Sequence, residues 1–182
     1  MSDQITAIPL TRIDGEIDSL ANHAGKVLLI VNVASKCGLT PQYEGLEALY
    51  REKHTEGLQV LAFPANNFNG QEPGTDDQIL DFCKTSYDVT FPLYSKISVR
   101  GEDIHPLYAR LTSSKPDAVG EGPMRERLEG YGIATGAPGE VVWNFEKFLI
   151  GRDGQIIERF APDVDAADPR LVRAVDKALA VS

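Results

Sequence analysis

The sequence predicts an α/β fold in which a central mixed sheet is flanked by helices. In the N-terminal half, short apolar runs typical of buried strands alternate with segments of helical periodicity, and this βαβα order predicts parallel strands joined by a right-handed crossover. The C-terminal part has two apolar runs around an Asp-Gly turn and then a helical segment, which predicts an antiparallel hairpin and a last helix. This is the element order of a thioredoxin-like fold, and 182 residues suit one domain over residues 1–182.

The first predicted strand runs from Val27 to Val33, a β-branched apolar segment of the kind buried on both faces of a parallel sheet. A Thr-Pro pair at residues 40–41 predicts a helix start, because Thr is a good N-cap and Pro is tolerated at the first helical position. The second strand is predicted over Leu58 to Phe63. Thr75 and the Gln three residues later form a capping box, which predicts the start of a second helix.

The hairpin is predicted from strands at Phe145 to Ile150 and Gln155 to Phe160, separated by a Gly-Arg-Asp-Gly turn. A last helix is predicted after the Asp-Pro pair at residues 168–169, and another helix is expected from about Ile104 to Leu111.

Residues 117–140 do not continue this alternation of predicted strands and helices. Glycine and proline recur through the segment, which predicts an inserted surface loop. Between these breakers, Met124 to Leu128 is expected to form a short helical turn.

Composition excludes several classes of function. The 18 basic and 27 acidic residues give a formal net charge of −9 without a basic cluster, so a nucleic-acid ligand is not expected. The longest unbroken apolar run, Val27 to Val31, is too short for a membrane span. Met1 to Gln4 lack the basic region and apolar core of a secretory signal, so the cytoplasm is the expected compartment.

The two cysteines, Cys37 and Cys83, are too few for the disulfide framework of a secreted protein. The three histidines are scattered and no Cys-x-x-Cys motif accompanies them, so neither a metal site nor a bound cofactor is expected.

Cys37 has a distinctive position between the first strand and the helix start. Unsatisfied backbone N–H groups and the positive end of the helix dipole favour the thiolate there, and the thiolate is the nucleophilic form. Thr40 occupies the place of the second cysteine in a Cys-x-x-Cys motif. A second thiol must therefore come from elsewhere.

Three blocks of the sequence resemble the signature blocks of the glutathione peroxidase family. They are Asn32 to Thr40, Phe63 to Gly74 and Trp143 to Phe148. The resemblance runs from about residue 5 to the end of the chain, apart from the 117–140 loop. It implies a thioredoxin-like fold and the reduction of hydroperoxides, with Cys37 at the catalytic position that is selenocysteine in some members.

The resemblance also implies a catalytic tetrad of Cys37, Gln71, Trp143 and Asn144. The two amides and the indole N–H are neutral donors that stabilise a thiolate and the negative charge on a departing hydroxide or alkoxide. In the implied reaction the thiolate attacks the peroxide and becomes a sulfenic acid. A second thiol converts that acid into a disulfide, which an external reductant then reduces.

Cys83 matches the resolving cysteine of the thioredoxin-dependent, two-cysteine members of the family. Many of those members also carry a cysteine in the Phe-Pro-x-Asn block, where this chain has Ala65. A disulfide needs Cα atoms within about 7 Å, so the helix around Cys83 is expected to unwind locally before the sulfur reaches Cys37.

The reductant stays open at this level. Thioredoxin is the leading co-substrate and glutathione is the alternative. Glutathione-using members of the family have a longer connection at the place of residues 117–140, and Arg125 and Arg127 of this chain could bind carboxylates of glutathione there. A peroxide sensor that passes its oxidation to a partner protein is a further alternative. Hydrogen peroxide and organic hydroperoxides are the expected substrates of a monomer or small homo-oligomer.

Overall fold

A four-stranded mixed sheet forms the centre of the computed structural model, which describes residues 5–181. Six strands occur in chain order: β1 (Leu10–Thr11), β2 (Ile17–Asp18), β3 (Val27–Val33), β4 (Leu58–Pro64), β5 (Lys147–Ile150) and β6 (Ile156–Phe160). The central sheet has the order β4-β3-β5-β6. Strand β3 pairs in parallel with β4 and antiparallel with β5, while β5 pairs antiparallel with β6. Strands β1 and β2 form a separate antiparallel pair.

The helices accompany this sheet as the sequence predicts. They are α1 (Gln42–Lys53), α2 (Asp76–Tyr87), α3 (Pro106–Ser114), α4 (Glu121–Gly130) and α5 (Pro169–Leu179). The predicted thioredoxin-like α/β fold is confirmed. None of the helices within residues 5–181 has both the length and the apolar character needed to cross a membrane. Met1 to Gln4, the basis for expecting no secretory signal, lie outside the described residues.

Strand β3 positions the site because every one of its residues is buried and its carboxyl end leads into the Cys37 loop. Asn32 pairs with Phe63 and Val33 with Pro64 across the parallel ladder. The carboxyl ends of parallel strands meet at one edge of a sheet. The segments that follow β3 and β4 therefore emerge side by side.

The two predicted helix starts differ in outcome. In the capping box of α2, Gln78 N–H donates to Thr75 Oγ1 at 3.2 Å and Thr75 N–H donates to Gln78 Oε1 at 2.9 Å, as predicted. Helix α1 instead has Pro41 at its N-cap, so the prediction of Thr40 as the cap is wrong. The Thr40 hydroxyl is engaged elsewhere, because it bonds to the loop that carries Cys37.

The hairpin is shorter than predicted at its start. Strand β5 begins at Lys147 because Phe145 has a φ of 69°, in the left-handed region, which a strand does not allow.

The 117–140 segment contains more regular structure than the short turn expected. Its ten-residue helix α4 buries Met124 and Leu128. Val119 forms a parallel bridge with Phe160, which attaches the segment to the edge of the central sheet. The helical extent exceeds the expectation because Met124 and Leu128, four residues apart, lie on one buried face.

Arg159 ties both ends of this segment to the sheet. Its side chain is fully buried and pairs with Glu146 through Nε. The Nη1 group donates to the carbonyl oxygens of Lys115, Pro116 and Gly139 at 2.9, 3.3 and 2.9 Å. One guanidinium thus satisfies backbone acceptors from both ends of the insertion.

Candidate active site

Cys37 lies in a short loop between β3 and α1 that hydrogen bonds hold in place. The Cys37 N–H donates to Thr40 Oγ1 at 2.9 Å, and the same hydroxyl donates to the Ala34 carbonyl at 2.8 Å. The Leu39 N–H donates to Cys37 Sγ at 3.3 Å. A backbone donor at this distance stabilises negative charge on sulfur, and Cys37 keeps 8% of its surface exposed. The sulfur thus accepts a backbone N–H, and the residue keeps a small exposed fraction.

Gln71 is joined to the Cys37 loop through its backbone. The Lys36 N–H donates to the Gln71 carbonyl at 3.0 Å. A tight turn precedes it, in which Asn69 and Gly70 have φ angles of 55° and 62°. The conformation at Gly70 is one that glycine adopts without strain. This turn brings the residue after it back beside Lys36.

The Trp143–Asn144 turn is held from the central strand. Asn32 Nδ2 donates to the Trp143 carbonyl at 3.1 Å, and the Phe145 N–H donates to the Asn32 carbonyl at 2.6 Å. The left-handed conformation at Phe145 turns the chain here, immediately before β5. Because Asn32 lies five residues before Cys37, these contacts bring Trp143 and Asn144 to the carboxyl end of β3.

Asn144 connects the two halves of the site. Its Nδ2 group donates to Gln71 Oε1 at 2.9 Å, although the residues are 73 positions apart. Within residues 5–181, the hydrogen bond to Cys37 Sγ comes from the Leu39 N–H alone. The side-chain amides of Gln71 and Asn144 bond to each other instead. Catalytic hydrogen bonds are commonly longer or differently aligned without substrate. The three segments with the predicted tetrad therefore meet, with the amide donors adjacent.

Trp143 forms part of the wall of this region. The indole packs on Phe68 with ring centroids 5.5 Å apart, and 7% of Trp143 is exposed. Phe68 belongs to the same turn that leads to Gln71. The tryptophan thus packs against the Gln71 turn as well as bonding to β3.

Cys83 has a different environment, inside helix α2. It is fully buried, and both cysteines are free thiols. Burial raises the pKa of Cys83 to about 11, the Tyr43 hydroxyl opposes this rise, and the negative charge of Glu72 adds to it. Cys83 is therefore held as a protonated thiol, and Tyr43 and Glu72 are its polar neighbours.

A cavity of about 340 Å³ separates the Cys37 loop from α2. Ser35 and Lys36 line it on one side, Ile79 and Phe82 line it on the other, and Glu72 lies in its wall. Sequence reasoning missed Glu72, because a glutamate in a Gly- and Pro-rich loop is ordinarily solvated. The one available signal was its place beside Gln71 in the second block.

The two arginines of the insertion have contacts of their own. Arg125 Nε donates to Glu121 at 2.9 Å, and Nη1 donates to the Thr135 hydroxyl at 2.9 Å. Arg127 lies 3.9 Å from the Asp163 carboxylate, with 53% of its side chain exposed. Arg125 is thus committed to the insertion, whereas Arg127 stays accessible.

With this geometry established, comparisons with known proteins identify the family. The model of the glutathione peroxidase family matches residues 5–112. The thioredoxin/glutathione peroxidase BtuE of Escherichia coli is 49% identical over 182 residues, which cover 99% of this chain and 100% of the relative. The chain belongs to the glutathione peroxidase family. It is a thiol-dependent peroxidase.

Other relatives agree with this assignment. The hydroperoxy fatty acid reductase gpx1 of Synechocystis is 44% identical, covering 86% of this chain and 88% of the relative. The crystal structure of Trgpx in apo form has a TM-score of 0.69 at 34% identity, with 96% of this chain and 95% of the other covered. A thioredoxin family protein of Chlorobium tepidum has a TM-score of 0.60 at 14% identity over 94% of this chain and 92% of that one, a likeness of fold alone.

Proposed function

We propose that this peroxidase uses Cys37 as its peroxide-reactive thiol, Cys83 as its resolving thiol and thioredoxin as its reductant. Hydrogen peroxide and organic hydroperoxides are its substrates. The observation that carries the proposal is the meeting of the Cys37 loop with the segments of Gln71 and Trp143–Asn144 at one end of β3.

In the first step the Cys37 thiolate attacks the distal peroxide oxygen. The O–O bond breaks, and the distal hydroxyl group stays on the sulfur as a sulfenic acid. The other oxygen leaves as alkoxide or hydroxide, which takes a proton from solvent to become alcohol or water. The Leu39 N–H beside the sulfur supports the thiolate, at 3.3 Å. The amides of Gln71 and Asn144 are the donors available for the departing oxygen, once peroxide replaces their mutual bond.

In the second step the Cys83 sulfur attacks the sulfenic acid and releases water. Cys83 is fully buried in α2, so this step requires local opening of that helix. Thioredoxin then reduces the disulfide by thiol–disulfide exchange.

Two kinds of observation support the choice of reductant. The presence of an internal second thiol favours thioredoxin, which acts on disulfides. The name of the Escherichia coli relative includes both thioredoxin and glutathione, and Arg127 is an accessible cation for a glutathione carboxylate. Glutathione is therefore the second candidate.

The test is NADPH-coupled turnover with thioredoxin and thioredoxin reductase, compared with glutathione and glutathione reductase. The parent and Cys83→Ser are each assayed with hydrogen peroxide, a small alkyl hydroperoxide and a fatty acid hydroperoxide. We expect the parent to turn over faster with thioredoxin and Cys83→Ser to lose that activity, since a lone sulfenic acid offers no disulfide to exchange.

Three outcomes would contradict the proposal. If the parent and Cys83→Ser turn over equally fast with thioredoxin, Cys83 has only a packing role. If both turn over equally fast with glutathione, glutathione is the better candidate for the reductant. Slow turnover with either reductant, accompanied by a mixed disulfide with one partner protein, would favour a sensor.

A further inference from the structure

Glu72 is a buried carboxylate without an ordinary partner. It is 1% exposed, and its backbone N–H donates to Asn66 Oδ1 at 2.9 Å. Among the described residues, neither carboxylate oxygen has a hydrogen-bond partner of normal geometry. A buried carboxyl group without such partners is costly, so its position calls for a reason beyond packing.

Glu72 lies between the Cys37 loop and helix α2, the two segments that must approach each other in the proposed resolving step. It lines the cavity of about 340 Å³ together with Lys36, which precedes Cys37, and Phe82, which precedes Cys83. The Lys36 N–H bonds to the carbonyl of Gln71, the residue before Glu72. The loop of Glu72 is therefore attached to the Cys37 loop and faces the helix that carries Cys83.

The charges around Glu72 suit a group that exchanges a proton. Burial raises its pKa, and the nearby Ser35 hydroxyl and N–H oppose this rise, as do the positive charges of Lys96 and Lys36. A carboxyl group with a raised pKa is a stronger base than an exposed one. Burial raises the pKa values of Cys83 and Tyr43, and the negative charge of Glu72 adds to both rises, so Glu72 is close enough for its charge to act on both groups.

Cys83 needs such a base. While α2 is folded, the pKa of about 11 leaves roughly one Cys83 thiol in ten thousand ionised at pH 7, so opening of the helix without loss of this proton brings a thiol rather than a thiolate to Cys37. The thiolate is the form that attacks a sulfenic acid. An acceptor for the thiol proton would remove this barrier.

We propose that Glu72 is the proton acceptor of the resolving step, an inference that rests on the proposed function of Cys37 and Cys83. The Glu72 carboxylate takes the proton from Cys83 Sγ as the Cys83 electron pair forms the S–S bond with Cys37. The S–O bond of the sulfenic acid breaks, and hydroxide leaves with its electron pair. Protonated Glu72 then returns the proton to hydroxide, so that water and a disulfide are the products.

Glu72→Gln tests this role by removing the base while preserving size and shape. Protein is mixed rapidly with one equivalent of hydrogen peroxide, quenched with an alkylating reagent and assayed by mass spectrometry for the Cys37–Cys83 peptide pair. We expect the disulfide to form about 100-fold more slowly at neutral pH in the variant. Sulfenic acid at Cys37, measured in the same samples, separates this step from the first.

The sign of the effect distinguishes a base from a neighbouring charge. If Glu72 acts only through its charge, removing that charge lowers the pKa of Cys83 and the disulfide forms faster. A rate equal to or above that of the parent would overturn the inference. Asp81→Asn is the matched control, because it removes an exposed carboxylate from the middle of α2 and should leave the rate unchanged.

A second variant keeps the base and moves its titration. Ser35→Ala removes a hydroxyl that lowers the pKa of Glu72, so the midpoint of the pH profile for disulfide formation should move to higher pH. An unchanged midpoint would overturn the inference. If the parent forms no Cys37–Cys83 disulfide, the proposed resolving step fails together with it. If the parent does and Glu72→Gln forms it at the parent's rate or faster, only the role of Glu72 fails.

Discussion

The loop that carries Cys37 and the helix that carries Cys83 place a thiol beside very different neighbours. Cys37 follows the carboxyl end of β3, accepts the Leu39 N–H at 3.3 Å and remains 8% exposed. Cys83 is fully buried in α2, and burial raises its pKa to about 11. A backbone N–H thus faces the sulfur of Cys37, whereas burial disfavours the thiolate form of Cys83. Identical side chains thus acquire different surroundings from the element that carries them.

This difference suits a division of work between the two sulfurs. In the proposed reaction peroxide oxidises Cys37 first, and burial of the Cys83 thiol protects it from direct oxidation. The proposed disulfide in turn requires α2 to open before it forms. Variants that change one environment at a time therefore test the comparison.

The largest effect is expected from Cys37→Ser. The hydroxyl is a far weaker nucleophile than a thiolate at neutral pH, so hydroperoxide-dependent NADPH oxidation should fall to the uncatalysed background with either reductant. Cys83→Ser is the matched control and should still consume one equivalent of peroxide. A substantial residual activity in Cys37→Ser would assign peroxide reduction to another residue.

Asn144→Ala should have the next largest effect. It removes the amide that bonds to Gln71 at 2.9 Å and one donor for the departing oxygen. Loss of one such donor typically lowers a rate by about 100-fold. The measurement is the rate of sulfenic acid formation at Cys37 in single turnover. Asn22→Ala, at an exposed asparagine bonded to Asp18, is the control, and equal rates in the two variants would remove Asn144 from the site.

The sequence was sufficient for the fold because its strongest signals are local. The apolar run of β3 and the Thr75–Gln78 capping box each determine their own element. The meeting of Gln71 with Asn144 came from family resemblance, since no local pattern joins residues 73 positions apart. Their catalytic roles remain predictions.

The features that sequence reasoning missed depend on tertiary contacts. Thr40 looks like a helix cap, but its hydroxyl bonds within the Cys37 loop at 2.9 Å. Phe145 looks like a strand residue, but its N–H bonds to Asn32 and its φ is 69°. Glu72 looks solvated, but it is 1% exposed and lies in the wall of the cavity that faces α2. At these positions tertiary contacts around the site override the local preference for secondary structure or for solvent exposure.

The pH dependence of stability measures the Cys83 environment directly. Burial raises the pKa of Cys83 from 9.0 to about 11, with Tyr43 opposing and Glu72 adding to the rise. Between these values the unfolded chain loses the thiol proton while the folded chain keeps it, so the free energy of unfolding falls as pH rises. A shift of this size corresponds to about 2–3 kcal/mol.

Urea unfolding of the parent and Cys83→Ser at pH 8 and pH 11 checks this expectation. The parent should lose about 2–3 kcal/mol more than the variant over this range. Subtracting the loss in Cys83→Ser from the loss in the parent removes the contribution of groups common to both proteins, including the buried tyrosines. Parallel losses in the two proteins would show that Cys83 titrates alike in the folded and unfolded chains.

The smallest effect is expected from Thr75→Ala, which weakens the start of α2 without touching either cysteine. Loss of an N-cap costs about 1 kcal/mol, and the capping box here supplies two hydrogen bonds. If α2 must open before Cys83 reaches Cys37, the open population and the rate of disulfide formation should both rise about fivefold. Amide hydrogen exchange over residues 76–87 measures the first quantity, and single-turnover disulfide formation measures the second. Asp168→Ala is the matched control, because it removes the N-cap bond of α5 to the Arg170 N–H and should change neither. Faster exchange in α2 without faster disulfide formation would mean that Cys83 reaches Cys37 by a route other than opening of its helix.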